Sequence, residues 1–273
     1  MYPKNILNFL FPKKFNNQRL VYYHIMKTGG TSINHFFYSL LYNKDFENIE
    51  NKFPKNNDYR SKHFIESSIG NKVYSISNRN DGNVSGNGFT IIKNPLLRKF
   101  KLYSYIHSHN LNLKYIDNKK DFCFSVIREP GSRIVSLFKY FFKLKNDNLL
   151  SYYSLNEFNN SAIFESPKKF LEIIKKRNNL YYGQIFTFSR KLIVKDAFDN
   201  FKKLNFYINF DNLNKDFKIM LKKFNLDHNQ IIQARTYENL GLDINILHDL
   251  NNQFIKDNYH EIEFYKKIKN EFK

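Results

Sequence analysis

Short apolar runs alternate along the chain with segments in which apolar side chains recur every three or four residues. Such runs are typical of strands, and the recurring segments have the period of a helix with one buried face. Strand patterns lie at 121–127, the strongest, and at 19–25, 73–77, 89–92, 102–107 and 206–210. Helical patterns lie at 33–42, 132–144, 166–175, 194–204, 211–224, 243–258 and 261–272, and 180–189 is helical or irregular. Strands that alternate with helices predict an α/β fold whose central, mostly parallel sheet is flanked by helices.

Polar residues mark where several of these helices begin. Ser132 precedes an apolar-periodic segment and is the predicted N-cap of its helix. Ser166 is followed by Pro167, a residue favoured in the first turn of a helix. Asp211 stands where it can cap the helix that follows the strand at 206–210. Residues 145–165 are polar and aromatic without a clear period, which predicts a loop.

One strand-to-helix turn carries the residues of an anion site. Gly29 and Gly30 permit a tight turn and a close approach of a ligand, and Thr31 and Ser32 can cap the helix or bond a ligand oxygen. The first amides of a helix point outward without partners, and Lys27 adds a full charge beside them. A plain turn beside a solvated lysine has the same pattern. The candidate ligand contacts are Lys27, Thr28, Gly29, Gly30, Thr31 and Ser32.

A second strand-to-helix turn follows the strongest strand. Arg128 stands where that strand ends, and Ser136 lies one turn into the next helix. A guanidinium offers a planar fork of donors, so that an arginine beside a hydroxyl suits a phosphate monoester. A salt bridge at the sheet edge for Arg128 and plain helix surface for Ser136 are the alternatives.

Both turns together resemble those of the carbohydrate sulfotransferases, in particular the heparan sulfate and uronyl 2-O-sulfotransferases and their bacterial relatives. The loop from Lys27 resembles their 5′-phosphosulfate loop, with Met26 where the family has proline. Arg128, Arg133 and Ser136 follow the spacing of their 3′-phosphate signature, R-[DE]-P-x-x-R-x-x-S. The resemblance implies a P-loop-like three-layer sandwich and 3′-phosphoadenosine 5′-phosphosulfate as the co-substrate, with no metal.

The resemblance also assigns two histidines and a further arginine. His107 and His109 end a strand-like run, where alternation places both side chains on one face. The family has a His-x-His here, which implies that His109 is the general base and that His107 orients it or contacts the substrate. A pair of surface histidines or two ligands of a metal share this pattern, but no third His or Cys has a suitable spacing. Arg235 lies where relatives carry a basic loop that contacts the nucleotide.

The resemblance implies an acceptor but does not identify it. We expect a carbohydrate or glycolipid hydroxyl, on an anionic or polymeric molecule. The length of 273 residues suits a single domain, 1–273. Within it, 1–18 is a basic lead-in, and 43–90 and 145–190 are predicted excursions on the acceptor side. The oligomeric state is left open.

Charge and composition are also compatible with two other classes of function. A net charge of +19 suits any anionic ligand, so that a non-enzymatic polyanion or nucleic-acid binder is one alternative, although no nucleic-acid motif is present. A nucleotide-kinase-like P-loop enzyme is the other, but a Walker A loop places its lysine after the glycines, and here Lys27 precedes them. We therefore predict no nucleic-acid partner.

Cysteine usage and hydropathy bear on the compartment. Cys123 is the single cysteine, lies in an apolar run and is predicted to be a buried, inert thiol. A reducing compartment fits a chain with one cysteine. No run approaches the roughly 18–20 apolar residues of a membrane span. We therefore expect a soluble, cytoplasmic protein with no membrane span.

Overall fold

A six-stranded sheet forms the centre of the described part of the chain. The structure is a computed structural model that describes residues 18–30, 32–33, 36, 72–76, 89–93, 102–108, 120–148, 150, 156–226 and 240–272. The strands are β1 (Gln18–Tyr23), β2 (Lys72–Ile76), β3 (Phe89–Lys93), β4 (Leu102–Ser108), β5 (Asp121–Ile127) and β6 (Phe206–Asn209). Their order across the sheet is β2-β3-β4-β1-β5-β6.

Four neighbouring strands of this sheet are parallel. β1 pairs in parallel with β4 on one side and with β5 on the other, and β6 extends the set beyond β5. β3 and β2 are added antiparallel beside β4. The chain leaves β1 toward one half of the sheet and returns at β5 to the other half. In open α/β sheets this reversal creates a crevice at the carboxyl ends of the strands, where ligands commonly bind.

Helices follow the parallel strands, as the periodicity predicts. They are α1 (Pro130–Asn146), α2 (Pro167–Lys175), α3 (Asn178–Tyr181), α4 (Gly183–Phe188), α5 (Val194–Phe201), α6 (Leu213–Lys222), α7 (Ile244–Asp257) and α8 (Tyr259–Glu271). In the described part of the chain, short 3₁₀ turns lie at Asn156–Phe158, Ser161–Ile163 and Phe210–Asn212. Residues 30, 32, 33 and 36 are helical after β1. The α/β class and the parallel core of the sheet are confirmed.

The parallel strands are covered on both faces. Alternate residues of a strand point to opposite faces, and in β1 Leu20 and Tyr22 pack with α6 whereas Val21 and Tyr23 pack with α4, α5 and α8. All seven residues of β5 are buried. Cys123 in this strand is fully buried, and burial raises the pKa of its thiol to about 12. The prediction of a buried thiol is confirmed.

A separate aromatic cluster holds α1, α2, α3 and α7 together. Phe138 on α1 makes an edge-to-face contact with Phe170 on α2, with ring centroids 4.8 Å apart. Phe158, from a 3₁₀ turn, packs on Phe141 of α1 at 4.6 Å. Burying one such phenylalanine contributes about 1.5–3 kcal/mol. The described part of 145–190, predicted to be an acceptor-side excursion, therefore includes helices with a core of their own.

Two predicted helix caps are wrong. Ser132 is not the N-cap of α1, because Pro130 needs no acceptor for an N–H and begins the helix two residues earlier. Asp211 does not cap α6, because Asn209 accepts a bond from the Asp211 amide and the 3₁₀ turn Phe210–Asn212 comes first. The helix predicted to begin at Ser166 and Pro167 is present as α2, and Ser166 is its N-cap.

No helix among the described residues is long and apolar enough to cross a membrane. The single-domain boundaries 1–273, the lead-in 1–18 and the acceptor-side roles of 43–90 and 145–190 stay predictions.

Candidate functional site

The predicted motifs follow three adjacent parallel strands at the same edge of the sheet. Tyr23, the last residue of β1, is paired with Ser108 of β4 and with Ser125 of β5. Parallel strands have their carboxyl ends at one edge, so the loop after β1, the turn at Arg128 and the backbone at His107 are neighbours. The sheet therefore brings the loop after β1 beside two segments that lie about 80 and 100 residues further along the chain.

The loop after β1 has an unusual backbone. Lys27 adopts a φ of 67°, in the left-handed region, and Gly29 adopts 90°. A non-glycine residue in this region costs on the order of 1 kcal/mol, which the surrounding contacts must offset. The amides of Ser32 and Ile33 then donate to the Gly29 carbonyl at 3.1 and 3.3 Å, so that a helical turn begins directly after it. The predicted strand–turn–helix is confirmed for these residues.

Buried contacts below the loop fix this conformation. The fully buried Thr28 donates its hydroxyl to the Ile25 carbonyl at 2.9 Å. The His24 ring stacks on Tyr22, with centroids 5.1 Å apart, and a Cβ placed on Gly30 would lie 1.8 Å from its Nε2. His24 is thus a packing residue of the loop. The side chain of Thr28 points inward, which leaves only its backbone for the predicted ligand contact.

The lysine of the loop lies beside the helix of the second motif. Its Nζ is 4.4 Å from the centroid of the Tyr140 ring on α1, a cation–π distance. Ser136 is half-buried and precedes Tyr140 by four residues, so the two residues share one face of the helix. The ammonium group of Lys27 therefore lies beside the helix that carries Ser136, the residue predicted to contact the 3′-phosphate.

Arg128 contacts the loop directly. Its Nη1 donates to the Lys27 carbonyl at 3.1 Å, and its guanidinium lies 4.1 Å from the centroid of the Phe210 ring. The same Phe210 ring is 3.1 Å from the position that a Cβ on Gly29 would occupy. Burial lowers the pKa of the half-buried Arg128, an effect that nearby Asp211 opposes. Phe210, which the sequence pattern did not single out, thus supports both motifs.

The backbone of Arg128 is held by residues from two distant helices. Its amide donates to Oε1 of the buried Gln184 on α4, at 3.0 Å. The fully buried Glu261 on α8 accepts the amides of Gln184 and Ile185 at 2.8 and 2.9 Å, and the Gln184 side chain at 3.4 Å. Burial raises the pKa of Glu261, whereas Arg133 and these bonds lower it.

The other predicted residues of the second motif differ in their surroundings. Arg133 is fully buried, and its two terminal nitrogens donate to the Leu180 and Tyr181 carbonyls at 2.8 and 2.6 Å. These carbonyls end α3, so Arg133 caps that helix from within the core. Burial lowers the pKa of Arg133, and Glu261 opposes the shift. The contacts are structural, and a nucleotide contact for Arg133 stays a prediction.

Several predicted residues fall outside the described part of the chain. They are Thr31, His109 and Arg235, and of His107 the structure gives the backbone in β4. Their assigned roles stay predictions. Among the described residues no three His, Cys, Asp or Glu side chains are grouped to hold a metal ion. That the reaction needs no metal also stays a prediction.

No protein-family model, no curated protein and no solved structure matches the chain. The likeness to carbohydrate sulfotransferases therefore depends on the sequence motifs of the two turns.

Proposed function

We propose that the protein is a sulfotransferase that moves a sulfuryl group from 3′-phosphoadenosine 5′-phosphosulfate to a carbohydrate hydroxyl. One observation carries the proposal: the Arg128 guanidinium donates to the Lys27 carbonyl at 3.1 Å, which joins the two anion-type turns into one site. A nucleotide with phosphate groups at both ends of its ribose needs two such turns side by side. The P-loop-like sandwich that the resemblance implies belongs to the same proposal.

The described residues fit this nucleotide. A helical turn begins directly after Gly29, at the carboxyl edge of the sheet, and a helix N-terminus is a place where an anion is stabilised. The Arg128 Nε is buried without a hydrogen-bond partner among the described residues. An unsatisfied buried donor costs about 1–3 kcal/mol, which a bound anion can relieve. We assign the 5′-phosphosulfate to the loop at Lys27 and the 3′-phosphate to Arg128 and Ser136.

The bound nucleotide would supply an activated sulfuryl group on a phosphate leaving group, and the protein would supply positioning and charge. Lys27 and the loop amides stabilise negative charge on the leaving 5′-phosphate oxygen. His109 accepts the proton of the acceptor hydroxyl as its oxygen bonds to sulfur and the bond from sulfur to the phosphate oxygen breaks. His107, on β4, orients His109 or contacts the acceptor. The products are the sulfated acceptor and 3′,5′-bisphosphoadenosine.

For the acceptor, the proposal names a chemical class and not a particular molecule. A net charge of +19 favours an anionic acceptor such as an acidic polysaccharide or glycolipid. The acceptor-side excursions predicted at 43–90 and 145–190 are where we expect its contacts.

Nucleotide binding gives the first test. We expect calorimetry to detect 3′,5′-bisphosphoadenosine binding in the presence of EDTA and adenosine 5′-phosphosulfate binding that is about tenfold weaker or more, because the latter lacks the 3′-phosphate. A kinase-like enzyme would instead bind ATP in a magnesium-dependent way. A polyanion binder would respond to DNA or heparin and show no preference between the two adenosine nucleotides.

Transfer gives the second test. Radiolabelled 3′-phosphoadenosine 5′-phosphosulfate is incubated with a panel of polysaccharides and glycolipids, and we expect label in at least one class of glycan. His109→Ala is expected to lower the rate by about 10²–10⁴ while bisphosphoadenosine still binds normally. His107→Ala is expected to be milder. A deeper loss for His107→Ala would exchange the two roles, and near-normal turnover in both would place the base elsewhere.

A further inference from the structure

We propose that Gln184 and Glu261 are positioning residues that hold Arg128 in its anion-binding place through a relay of hydrogen bonds. The inference rests on the proposed function for the identity of the anion, but the relay itself is a property of the fold. It runs from Glu261 through the Gln184 side chain to the Arg128 amide, and from the Arg128 guanidinium to the Lys27 carbonyl. It thereby connects α8, α4, the end of β5 and the loop after β1.

Burial makes the relay costly to break. Gln184 is 1% exposed and Glu261 is 0% exposed, so water cannot replace a lost partner. Both stand on the buried faces of their helices, Gln184 four residues before the buried Phe188 on α4 and Glu261 three residues before the buried Phe264 on α8. A polar side chain on a buried face is retained where its hydrogen bonds have a role, since burying it without partners is unfavourable.

Glu261 determines which way the Gln184 amide points. A carboxylate only accepts hydrogen bonds, and Glu261 accepts all three that it makes with Gln184 and Ile185. Gln184 must therefore turn its NH₂ group toward Glu261, which leaves its oxygen for the Arg128 N–H. If the amide were reversed, its NH₂ group would face the Arg128 N–H, and two donors would oppose each other. The accepting oxygens of Glu261 thus favour the orientation in which the Gln184 oxygen accepts the Arg128 N–H.

This arrangement accounts for the direction of Arg128. The Arg128 amide donates to the Gln184 side chain, while the Arg128 guanidinium lies on the Phe210 ring and donates to the Lys27 carbonyl. A shift of the backbone at Arg128 would separate the guanidinium from the loop. The relay therefore keeps the two anion-type turns at a fixed separation, and so selects a ligand with two anionic groups over a ligand with one.

Amide hydrogen exchange tests the relay without any ligand. Gln184→Met keeps the length of the side chain and removes the acceptor, so we expect exchange at the Arg128 amide to become at least about tenfold faster. Thr187→Val is the matched control, because Thr187 on the same helix donates to the Gly183 carbonyl at 2.7 Å and should leave Arg128 exchange unchanged. Unchanged exchange in Gln184→Met would overturn the relay, as would equal acceleration in both variants.

Glu261→Gln tests whether Glu261 orients the Gln184 side-chain amide, and it replaces Gln184→Met as the test if that variant does not fold. Its amide can donate to Gln184 and so allow the reversed orientation, and we expect faster Arg128 exchange at nearly unchanged size and shape of the protein. Arg128 exchange equal to wild type in this variant would overturn the role of Glu261.

Nucleotide selectivity then connects the relay to the ligand. We expect Gln184→Met to lower bisphosphoadenosine affinity by about tenfold and adenosine 5′-phosphosulfate affinity by much less. Equal losses for both nucleotides would overturn the positioning role toward the 3′-phosphate. If the wild-type protein binds neither nucleotide while the Arg128 exchange still depends on Gln184, the proposed function fails and the relay stands.

Discussion

The two strand-to-helix turns at the centre of the sheet occupy equivalent places and are built in opposite ways. After β1, Lys27 and Gly29 take positive φ angles, and a helical turn begins directly after Gly29. After β5, Glu129 closes the helix instead, because its carboxylate accepts the amides of Gly131 and Ser132. We propose that the N-terminus of the helix after β1 is open to an anion (the open turn), whereas that of the helix after β5 is occupied by the protein's own carboxylate (the closed turn).

The difference shows how two adjacent turns can bind two different anionic groups. The turn after β1 can use backbone amides and a lysine, which surround an anion from several sides. The turn after β5 can use only side chains, chiefly the Arg128 fork, because its helix dipole already faces Glu129. Two open helix N-termini side by side would place two partial positive charges together, so the closed one also relieves repulsion.

Lys27→Ala addresses the open turn and has the largest expected effect. Removing one donor that stabilises a leaving oxygen typically costs about 10²–10³ in turnover, and we expect this loss on the glycan that the transfer assay identifies. Bisphosphoadenosine affinity should fall less, since the charge is needed most when the leaving oxygen becomes negative. If turnover at saturating substrate is unchanged and only binding is weaker, Lys27 contributes to ground-state binding and not to stabilising the transition state. Lys175→Ala is the control, because its ammonium also lies over a tyrosine ring, that of Tyr181, 6.0 Å from the centroid.

Gly30→Ala tests whether the open turn depends on its packing. The added Cβ would lie 1.8 Å from the Nε2 of the buried His24, so the ring or the loop must move. We expect a loss of about 1–3 kcal/mol in the free energy of unfolding, measured with denaturant, and a parallel loss of nucleotide binding. The double variant with His24→Ala should be less destabilised than the sum of the two single variants. Strict additivity would show that the two residues do not interact.

Arg128→Ala tests the closed turn, where one side chain should carry most of the anion binding. We expect bisphosphoadenosine affinity to fall by about tenfold or more and adenosine 5′-phosphosulfate affinity to fall much less, both by calorimetry. Arg190→Ala is the matched control, since that guanidinium likewise lies on an aromatic ring, 4.3 Å from the Phe186 ring centroid, and belongs to neither turn. An equal loss for both nucleotides would remove the 3′-phosphate assignment.

The open turn could be predicted from the sequence far better than its supports could. Glycines and a lysine between an apolar strand and a periodic helix are local signals, and the structure has that turn. Phe210, Gln184 and Glu261 lie about 55 to 135 residues after Arg128 in the chain, and only the fold brings them to the site. A signal was nevertheless present, because Glu261 stands on the apolar stripe of α8 with Phe264 and Ile268.

The closed turn was predicted less well because competing caps look alike in a sequence. Ser132 has the residue type of an N-cap, yet Glu129 takes that place because Pro130 can occupy the first helical position. Arg133 has the spacing of a ligand contact, which stays a prediction, but the spacing did not indicate that its guanidinium caps α3 inside the core. Spacing along a helix fixes a direction around its axis, but whether that direction meets solvent or core depends on elements elsewhere in the chain.

Glu129→Gln tests the closed turn by changing the N-cap of α1, and it has the smallest expected effect on nucleotide binding. The variant loses the charge at the N-terminus of α1 and one of its two strong acceptors, so we expect a loss of about 1 kcal/mol in the free energy of unfolding. Bisphosphoadenosine affinity should stay within about threefold of wild type, or tighten, because a carboxylate that attracts Arg128 has gone.

Asp243→Asn supplies the matched control for this last comparison. Asp243 caps α7 by accepting the Asn245 amide at 2.8 Å, and it belongs to neither turn. It should lower stability by a similar amount and leave both nucleotide affinities and their ratio unchanged. If Glu129→Gln instead weakened bisphosphoadenosine binding by tenfold while Asp243→Asn did not, Glu129 would have to hold Arg128 in place. The carboxylate would then belong to the anion site, and the contrast between an open and a closed turn would no longer hold.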